Sequence, residues 1–165
     1  MPILRANAFE FFSNSADQTR RMGIQLGGLL RRGDLICLQG DLGSGKTTLI
    51  QGIAAGWGSL ELVTSPTFVL VNVYKRADGA RLAHVDAYRL ENAREAEELD
   101  LDVLLAQGPL VIEWADKVAA ALPDDRLWLK LFWIDRERRR IEVSPRGARY
   151  EEMLEGLKET VFDLA

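Results

Sequence analysis

The 165-residue chain has one cysteine, one histidine and no long uninterrupted apolar run. The lone Cys37 excludes an internal disulfide, and a single cysteine with a single histidine excludes a Cys/His metal site. No segment approaches the roughly 20 apolar residues that cross a bilayer. The N-terminal sequence MPILRANAFEFF lacks the apolar centre of a signal peptide. We therefore expect a soluble, cytoplasmic protein that does not act at a membrane.

The composition is that of one ordinary globular domain. A hydrophobic fraction of 47% supplies enough apolar residues for a packed core without disulfides or structural metal. No internal repeat, low-complexity stretch or long linker divides the chain, so residues 1–165 are predicted to form a single domain. The net charge of −4 argues against autonomous tight binding to nucleic acid, so any contact with nucleic acid is expected only indirectly, within a complex.

The most informative stretch is GDLGSGKTT at residues 40–48, which fills every fixed position of the pattern G-x-x-x-x-G-K-[ST]. Glycines let the backbone curl so that successive N–H groups point at phosphates, and a helix that begins there adds its dipole. Lys46 is expected to reach the β- and γ-phosphates, and the Thr47 hydroxyl is expected to ligate Mg²⁺. The pattern predicts binding of a nucleoside triphosphate.

The elements around this loop have the order that the pattern requires. Residues 35–38 form an apolar run typical of a buried strand, and residues 46–55 predict a helix that ends at Gly56. Further helices are predicted at residues 16–30, 91–105, 117–122 and 150–162, and further strands at 68–74, 82–85, 110–112, 127–134 and 140–143. This alternation predicts an α/β, P-loop NTPase-like sandwich with a mixed, partly parallel sheet and β-hairpin insertions.

Two acids follow apolar strands, where ligands of parallel sheets collect. Asp86 ends the strand at residues 82–85, and Glu113 ends the run at residues 110–112. Each could bind Mg²⁺ directly, bind it through water, or orient the attacking water. Solvated acids at strand ends are the alternative for both. His84 lies inside a predicted strand, and we interpret it as structural.

Hydroxyls at Thr64, Ser65 and Thr67 follow the loop helix and are candidates for sensing the γ-phosphate. An ordinary turn that leads into a strand is the alternative interpretation of this segment.

The densest basic run is DRERRR at residues 135–140. It could contact phosphate or RNA, and a solvated hairpin tip is the alternative. Alternation along the returning strand would place Arg138 and Arg140 on one face and Arg139 on the other. By fold geometry, the first helix and the Arg138 region are expected to line the adenine pocket.

Together, GDLGSGKTT, SPTF, HVDAYRL and IEW followed by a Leu-Pro resemble the bacterial TsaE family in order and spacing. The resemblance covers about residues 15–140, and chain length agrees. The phosphate loop is shared with many NTPases, whereas the combination with SPTF, HxDxYRL and EW is far more specific. The chain departs from the family pattern after the tryptophan, where Ala115 and Asp116 replace an expected proline and an acid or glutamine.

The resemblance implies an ATPase of tRNA threonylcarbamoyladenosine biosynthesis that binds ATP with Mg²⁺ and hydrolyses it slowly. It also implies association with a TsaB–TsaD heterodimer, which transfers threonylcarbamoyl to adenosine beside the tRNA anticodon. By motif position, Trp114 matches the tryptophan after the family's acid, and Thr47 and Glu113 would hold Mg²⁺. Lys46, Asp86 and Glu113 would be the catalytic residues. The implied phosphate contacts are Gly43, Ser44, Gly45, Lys46, Thr47 and Thr48.

Two other functions use the same loop. A small-molecule or nucleotide kinase could use residues 136–140 as an arginine-rich lid over phosphates. No second-substrate domain is visible between the strands, which argues against a kinase. A GTPase-like switch would need the guanine-selective N-K-x-D pattern, which this sequence lacks.

Overall fold

The computed structural model describes residues 8–63 and 71–162 of the chain. Its strands are β1 (Phe9–Ser13), β2 (Leu35–Gln39), β3 (Val71–Lys75), β4 (Arg81–Asp86), β5 (Leu110–Glu113), β6 (Arg126–Trp133) and β7 (Arg139–Arg146). Its α-helices are α1 (Ala16–Leu29), α2 (Lys46–Trp57), α3 (Ala93–Glu97), α4 (Leu101–Gln107) and α5 (Ala148–Phe162). No helix within the described ranges is long and apolar enough to cross a membrane.

The strands form one mixed sheet in the order β1-β7-β6-β2-β5-β4-β3. The four central strands β6, β2, β5 and β4 are parallel, and antiparallel pairs extend the sheet at both edges. The β3–β4 and β6–β7 pairs are the predicted hairpins. The prediction of an α/β fold with a partly parallel sheet and hairpin insertions is therefore confirmed.

Two apolar layers cover the two faces of the central strands. Along β2, Ile36 and Leu38 pack with residues of α1, α2 and α5, while Leu35 and Cys37 pack with α3, α4 and the 3-10 turns that follow β5. Burial raises the pKa of the Cys37 thiol to about 12, so this residue acts as a small apolar side chain. Both faces of β2 are thus dry, as a central parallel strand requires.

The predicted end of the loop helix at Gly56 is wrong, because α2 continues to Trp57 and stops at Gly58 with φ 105°. Gly56 serves packing instead. A Cβ built at this position would lie 2.0 Å from the carbonyl oxygen of Ile24 in α1. Glycine at residue 56 therefore permits close approach of the two helices, and the left-handed C-terminal position belongs to Gly58.

Two further expectations differ from the structure, and one strand was not predicted at all. The acidic helix predicted at residues 91–105 is two helices, because Asp100 takes φ 51° and redirects the chain so that Leu101 joins the core. The helix predicted at residues 117–122 is a pair of 3-10 turns, Ala115–Lys117 and Ala119–Ala121. Strand β1 was not predicted, because it forms by pairing with β7, which is distant in the sequence.

Candidate functional site

The phosphate loop joins β2 to α2 at the carboxyl edge of the parallel strands. Gly43 and Gly45 have φ 80° and 103°, a backbone that glycine adopts without steric cost. The helix begins directly at Lys46, so its first N–H groups face the loop interior. A cavity of about 360 Å³ opens over the loop and is lined by Leu42, Gly43, Gly45, Lys46, Thr47, Thr48, Asp86, Tyr88, Glu113, Trp114 and Arg139.

Lys46 is held inside this loop rather than in solvent, with 5% of its surface exposed. Its Nζ donates to the carbonyl oxygens of Gly40 and of Asp41, the latter at 2.9 Å. The same ammonium lies 4.3 Å from the centre of the Trp114 ring. Burial lowers the pKa of Lys46, and the negative charge of Glu113 opposes that shift. The loop therefore presents a partly desolvated cation to the cavity.

Glu113 is anchored by a buried hydrogen-bonded chain that the sequence did not reveal. Its Oε2 lies 2.7 Å from Nε2 of His84, and Nδ1 of His84 lies 3.1 Å from the Tyr74 hydroxyl. His84 is 2% exposed and Glu113 7% exposed. Both imidazole nitrogens are thus engaged, which fixes the ring and the carboxylate beside it. The sequence offered one sign of this contact, because His84 lies two residues before Asp86 on β4 and therefore on the same face of the strand.

Asp86 lies next to Glu113 because parallel pairing of β4 with β5 sets the two residues opposite each other. Its Oδ1 accepts a hydrogen bond of 2.9 Å from the backbone N–H of Tyr88. Burial raises the pKa of Asp86, and the neighbouring charge of Glu113 raises it further. A carboxylate whose ionisation is disfavoured by burial and by a neighbouring carboxylate suits a cation bound beside it.

The oxygen-bearing side chains at this cavity fit Mg²⁺ better than they fit a metal whose ligands must all come from the protein. Within residues 8–63 and 71–162, no group of three or more His, Cys, Asp or Glu side chains is arranged to hold a metal ion. Mg²⁺ is typically held by one or two carboxylates together with phosphate oxygens and water. Thr47, Asp86 and Glu113 line the same cavity and match that habit.

Trp114 forms a wall of the cavity in a costly backbone conformation. Its φ of 57° and ψ of 37° place a bulky residue in the left-handed region, at about 1–3 kcal/mol. The indole lies 5.0 Å from the Tyr88 ring, measured between ring centres, while Lys117 Nζ donates to the Tyr88 carbonyl at 2.6 Å. The strain brings the ring over Lys46. Tyr88 was not among the predicted site residues.

Arg139 of the basic hairpin lies beside the loop, whereas Arg138 was the predicted residue. Arg138 is exposed and forms an ion pair of 2.6 Å with Asp135, away from the cavity lining. Arg139 lines the cavity, and its Nε lies 3.6 Å from a Cβ built on Gly45. The expected alternation is present for Arg139 and Arg140, since Arg140 turns to the other face and stacks on Phe132, whereas Arg138 precedes β7.

The remaining predicted site residues fall into two groups. Ser44 is buried beneath the loop, with its Oγ 3.5 Å from Lys46 Nζ, whereas Thr47 and Thr48 line the cavity directly. Thr64, Ser65 and Thr67 lie outside the described residues.

A glycine-rich loop at a helix start, a buried lysine and two acids at parallel strand ends define the class. The chain is a P-loop NTPase-like α/β protein. Residues 13–141 match the family model described as "Threonylcarbamoyl adenosine biosynthesis protein TsaE". The chain belongs to the TsaE family, which is involved in tRNA threonylcarbamoyladenosine biosynthesis.

Similar proteins agree in sequence and in fold. A TsaE protein of Streptomyces coelicolor is 48% identical over 114 residues, covering 68% of this chain and 77% of the relative. A TsaE protein of Bacillus subtilis is 36% identical over 143 residues, covering 86% and 88% of the two chains. The crystal structure of Bacillus subtilis YdiB superposes with a TM-score of 0.77 at 28% identity, covering 97% of this chain and 99% of that one.

Proposed function

We propose that this protein is a Mg²⁺-dependent ATPase that supports tRNA threonylcarbamoyladenosine modification by binding and cycling on a TsaB–TsaD transferase complex. The proposal rests on the observation that distant parts of the chain bring four functional side chains to one cavity. Lys46, Thr47, Asp86 and Glu113 come from three separate parts of the chain and line one cavity over the phosphate loop. Family membership supplies the pathway in which this ATPase would act.

Lys46 and the loop backbone would bind the phosphates. The ammonium is already positioned by the carbonyl oxygens of Gly40 and Asp41, so it can exchange these neutral acceptors for phosphate oxygens with little rearrangement. The Trp114 ring lies 4.3 Å from the ammonium and shields one side of it from water. A desolvated cation interacts more strongly with developing phosphate charge than an exposed one does.

Thr47 and Glu113 would hold Mg²⁺, which when bound neutralises phosphate charge. His84 fixes the Glu113 carboxylate, so this ligand needs little ordering when the site fills. Asp86 would orient the attacking water. The raised pKa of Asp86, caused by burial and by Glu113, makes this carboxylate a better proton acceptor than an exposed aspartate.

The contacts of the hairpin weigh against the kinase alternative. Arg138 is paired with Asp135, and Arg140 is paired with Glu142 at 2.7 Å. In the described part of the chain, the arginine run therefore contributes Arg139 alone to the cavity lining. The arginine-rich lid that the kinase alternative predicts is therefore represented at this cavity by one arginine. We propose a partner protein, rather than a small acceptor, as the target of the ATP cycle.

The direct experiment measures ATP turnover and tRNA modification with and without a TsaB–TsaD complex. Turnover should be slow alone and should increase with the complex. Lys46→Ala and Glu113→Ala should each lower stimulated turnover about a hundredfold, because each removes a charged group that contacts the reacting phosphates or their metal. Lys158→Ala and Glu155→Ala, at an ion pair on α5, are matched controls and should retain wild-type turnover.

Two results would contradict the proposal. One is full ATP turnover and tRNA modification in both Lys46→Ala and Glu113→Ala. The other is ADP formation that depends on a nucleoside, nucleotide or small alcohol and ignores the TsaB–TsaD complex, which would indicate a kinase.

A further inference from the structure

Arg139 is held rigidly against the phosphate loop by its own hairpin. Its Nη1 donates to the carbonyl oxygens of Asp135 at 2.5 Å and of Arg138 at 2.9 Å. The side chain also lies against Gly45, with its Nε 3.6 Å from the position that a Cβ would take there. A guanidinium is planar, so two bonds through one nitrogen largely fix the direction of its remaining donors.

One of those remaining donors has no acceptor. Among the described residues, Nε of Arg139 is buried and makes no hydrogen bond. A buried donor on a charged group is costly when it is unpaired, and such groups in folded proteins usually have a partner. Arg139 lines the loop cavity, so a phosphate oxygen bound there could become the partner of this donor after a small turn of the side chain.

The strand order identifies which part of the ligand lies there. Asp86 and Glu113 end β4 and β5, on one side of β2, whereas Arg139 begins β7, on the other side. By strand spacing, β5 and β7 lie about 14 Å apart. A nucleotide whose γ-phosphate lies by Lys46 and the acids would therefore direct its α-phosphate and nucleoside toward Arg139.

An exposed aromatic side chain stands beside Arg139 on the same face of the sheet. Trp133 of β6 is directly opposite Arg139 in the β6–β7 register, so the two side chains point to the same face. Its indole is 59% exposed, which is unusual for the largest apolar side chain. Aromatic rings stack on nucleobases of any sequence because every base has a π-face.

We propose that Arg139 binds the α-phosphate of the nucleotide and that Trp133 stacks on its base. The inference rests on the proposed ATP-binding function and extends it to the nucleoside end of the ligand. Arginine suits the first role because it remains charged and its donors match phosphate oxygens in a plane. Arg138, one residue away, is not part of the cavity lining and has its own partner in Asp135, so it is a matched control.

The test is equilibrium binding of Mg·ATP, ADP and Mg·tripolyphosphate to the full chain, measured by titration calorimetry. Arg139→Ala should weaken all three about tenfold or more, as expected for loss of a charge-assisted hydrogen bond. Trp133→Ala should weaken ATP and ADP about fivefold or more and leave tripolyphosphate, which has no base, unchanged. Arg138→Ala should bind all three as the wild type does.

A role of Arg139 confined to bracing the hairpin predicts a different pattern. In that case Arg139→Ala would have a lower melting temperature, but it would bind each of the three ligands as tightly as Arg138→Ala does. Wild-type affinity in Arg139→Ala, or equal loss of ATP and tripolyphosphate affinity in Trp133→Ala, would overturn the corresponding assignment while leaving ATP binding intact. If the wild-type chain bound none of the three ligands, the proposed function itself would fail.

Discussion

Gly27→Ala should destabilise the protein by forcing apart the two helices that support the phosphate loop. Helices α1 and α2 meet through glycines rather than side chains. A Cβ at Gly27 would lie 2.1 Å from the carbonyl oxygen of Ile53 and 2.8 Å from the backbone nitrogen of Trp57. Both neighbours are backbone atoms of α2, so no side-chain rotation can relieve the clash. The helices themselves must move.

The geometry sets the size of the effect. A carbon–oxygen contact of about 3.3 Å requires a displacement of about 1.2 Å at Gly27. Overpacking of this kind costs about 1–3 kcal/mol or more. The better helix propensity of alanine returns about 0.5–1 kcal/mol. We expect a net loss of about 2 kcal/mol, which lowers the melting temperature by roughly 4–8 °C in a domain of this size.

Gly28→Ala is the matched control, one residue along the same helix. A Cβ there would lie 4.0 Å from its nearest neighbour, the carbonyl oxygen of Gly56, which is an ordinary contact. Alanine at residue 28 should stabilise the protein by about 0.5–1 kcal/mol. Urea denaturation of both variants measures the difference in their free energies of unfolding, provided that the two m-values are equal. Equal stability of the two alanine variants would refute the close-packing argument.

Three further predictions follow from single contacts. His84→Asn should lower ATP turnover more than tenfold, because the shorter side chain cannot reach Glu113. His84→Gln should retain most of the rate, because its amide can replace Nε2. Equal rates in the two variants would contradict the positioning role of His84. Asp86→Asn should abolish turnover yet stabilise the protein at neutral pH, because it removes a carboxylate whose ionisation burial disfavours. The raised pKa of Asp86 means that the wild type loses stability as pH rises from the ordinary value of 3.8 through the raised one, so the advantage of the variant should vanish below pH 3.8 in pH-dependent urea denaturation. Tyr150→Phe should cost about 1–3 kcal/mol in urea denaturation, because it leaves the buried N–H of Leu35 without its 2.8 Å acceptor, and an unchanged midpoint would count against this.

Much of the site was predictable because its determinants are local. The spacing of Gly40, Gly45, Lys46 and Thr47 specifies a loop and a helix start within nine residues, and the structure has both. The acids were predictable by a general rule, since residues that end neighbouring parallel strands meet at one edge of the sheet. The β4–β5 register indeed pairs Asp86 with Glu113.

Other features depended on contacts between distant residues. Strand β1 exists because β7 offers it a pairing edge, and Gly56 continues its helix because α1 lies against it. Neither partner can be read from the local sequence. Local spacing could not show that Tyr74, His84 and Glu113 form one hydrogen-bonded chain across three strands.

The arginine hairpin separates the two kinds of information most clearly. The sequence by itself predicted that Arg139 and Arg140 take opposite faces, because side chains alternate along a strand. Only the tertiary structure decided which face turns toward the phosphate loop. That choice depends on the pairing of β7 with β6 and β1, and a register shift of one residue would exchange the faces. The local sequence therefore specified the glycine-rich loop, and the sheet pairing specified which arginine lines the cavity over it.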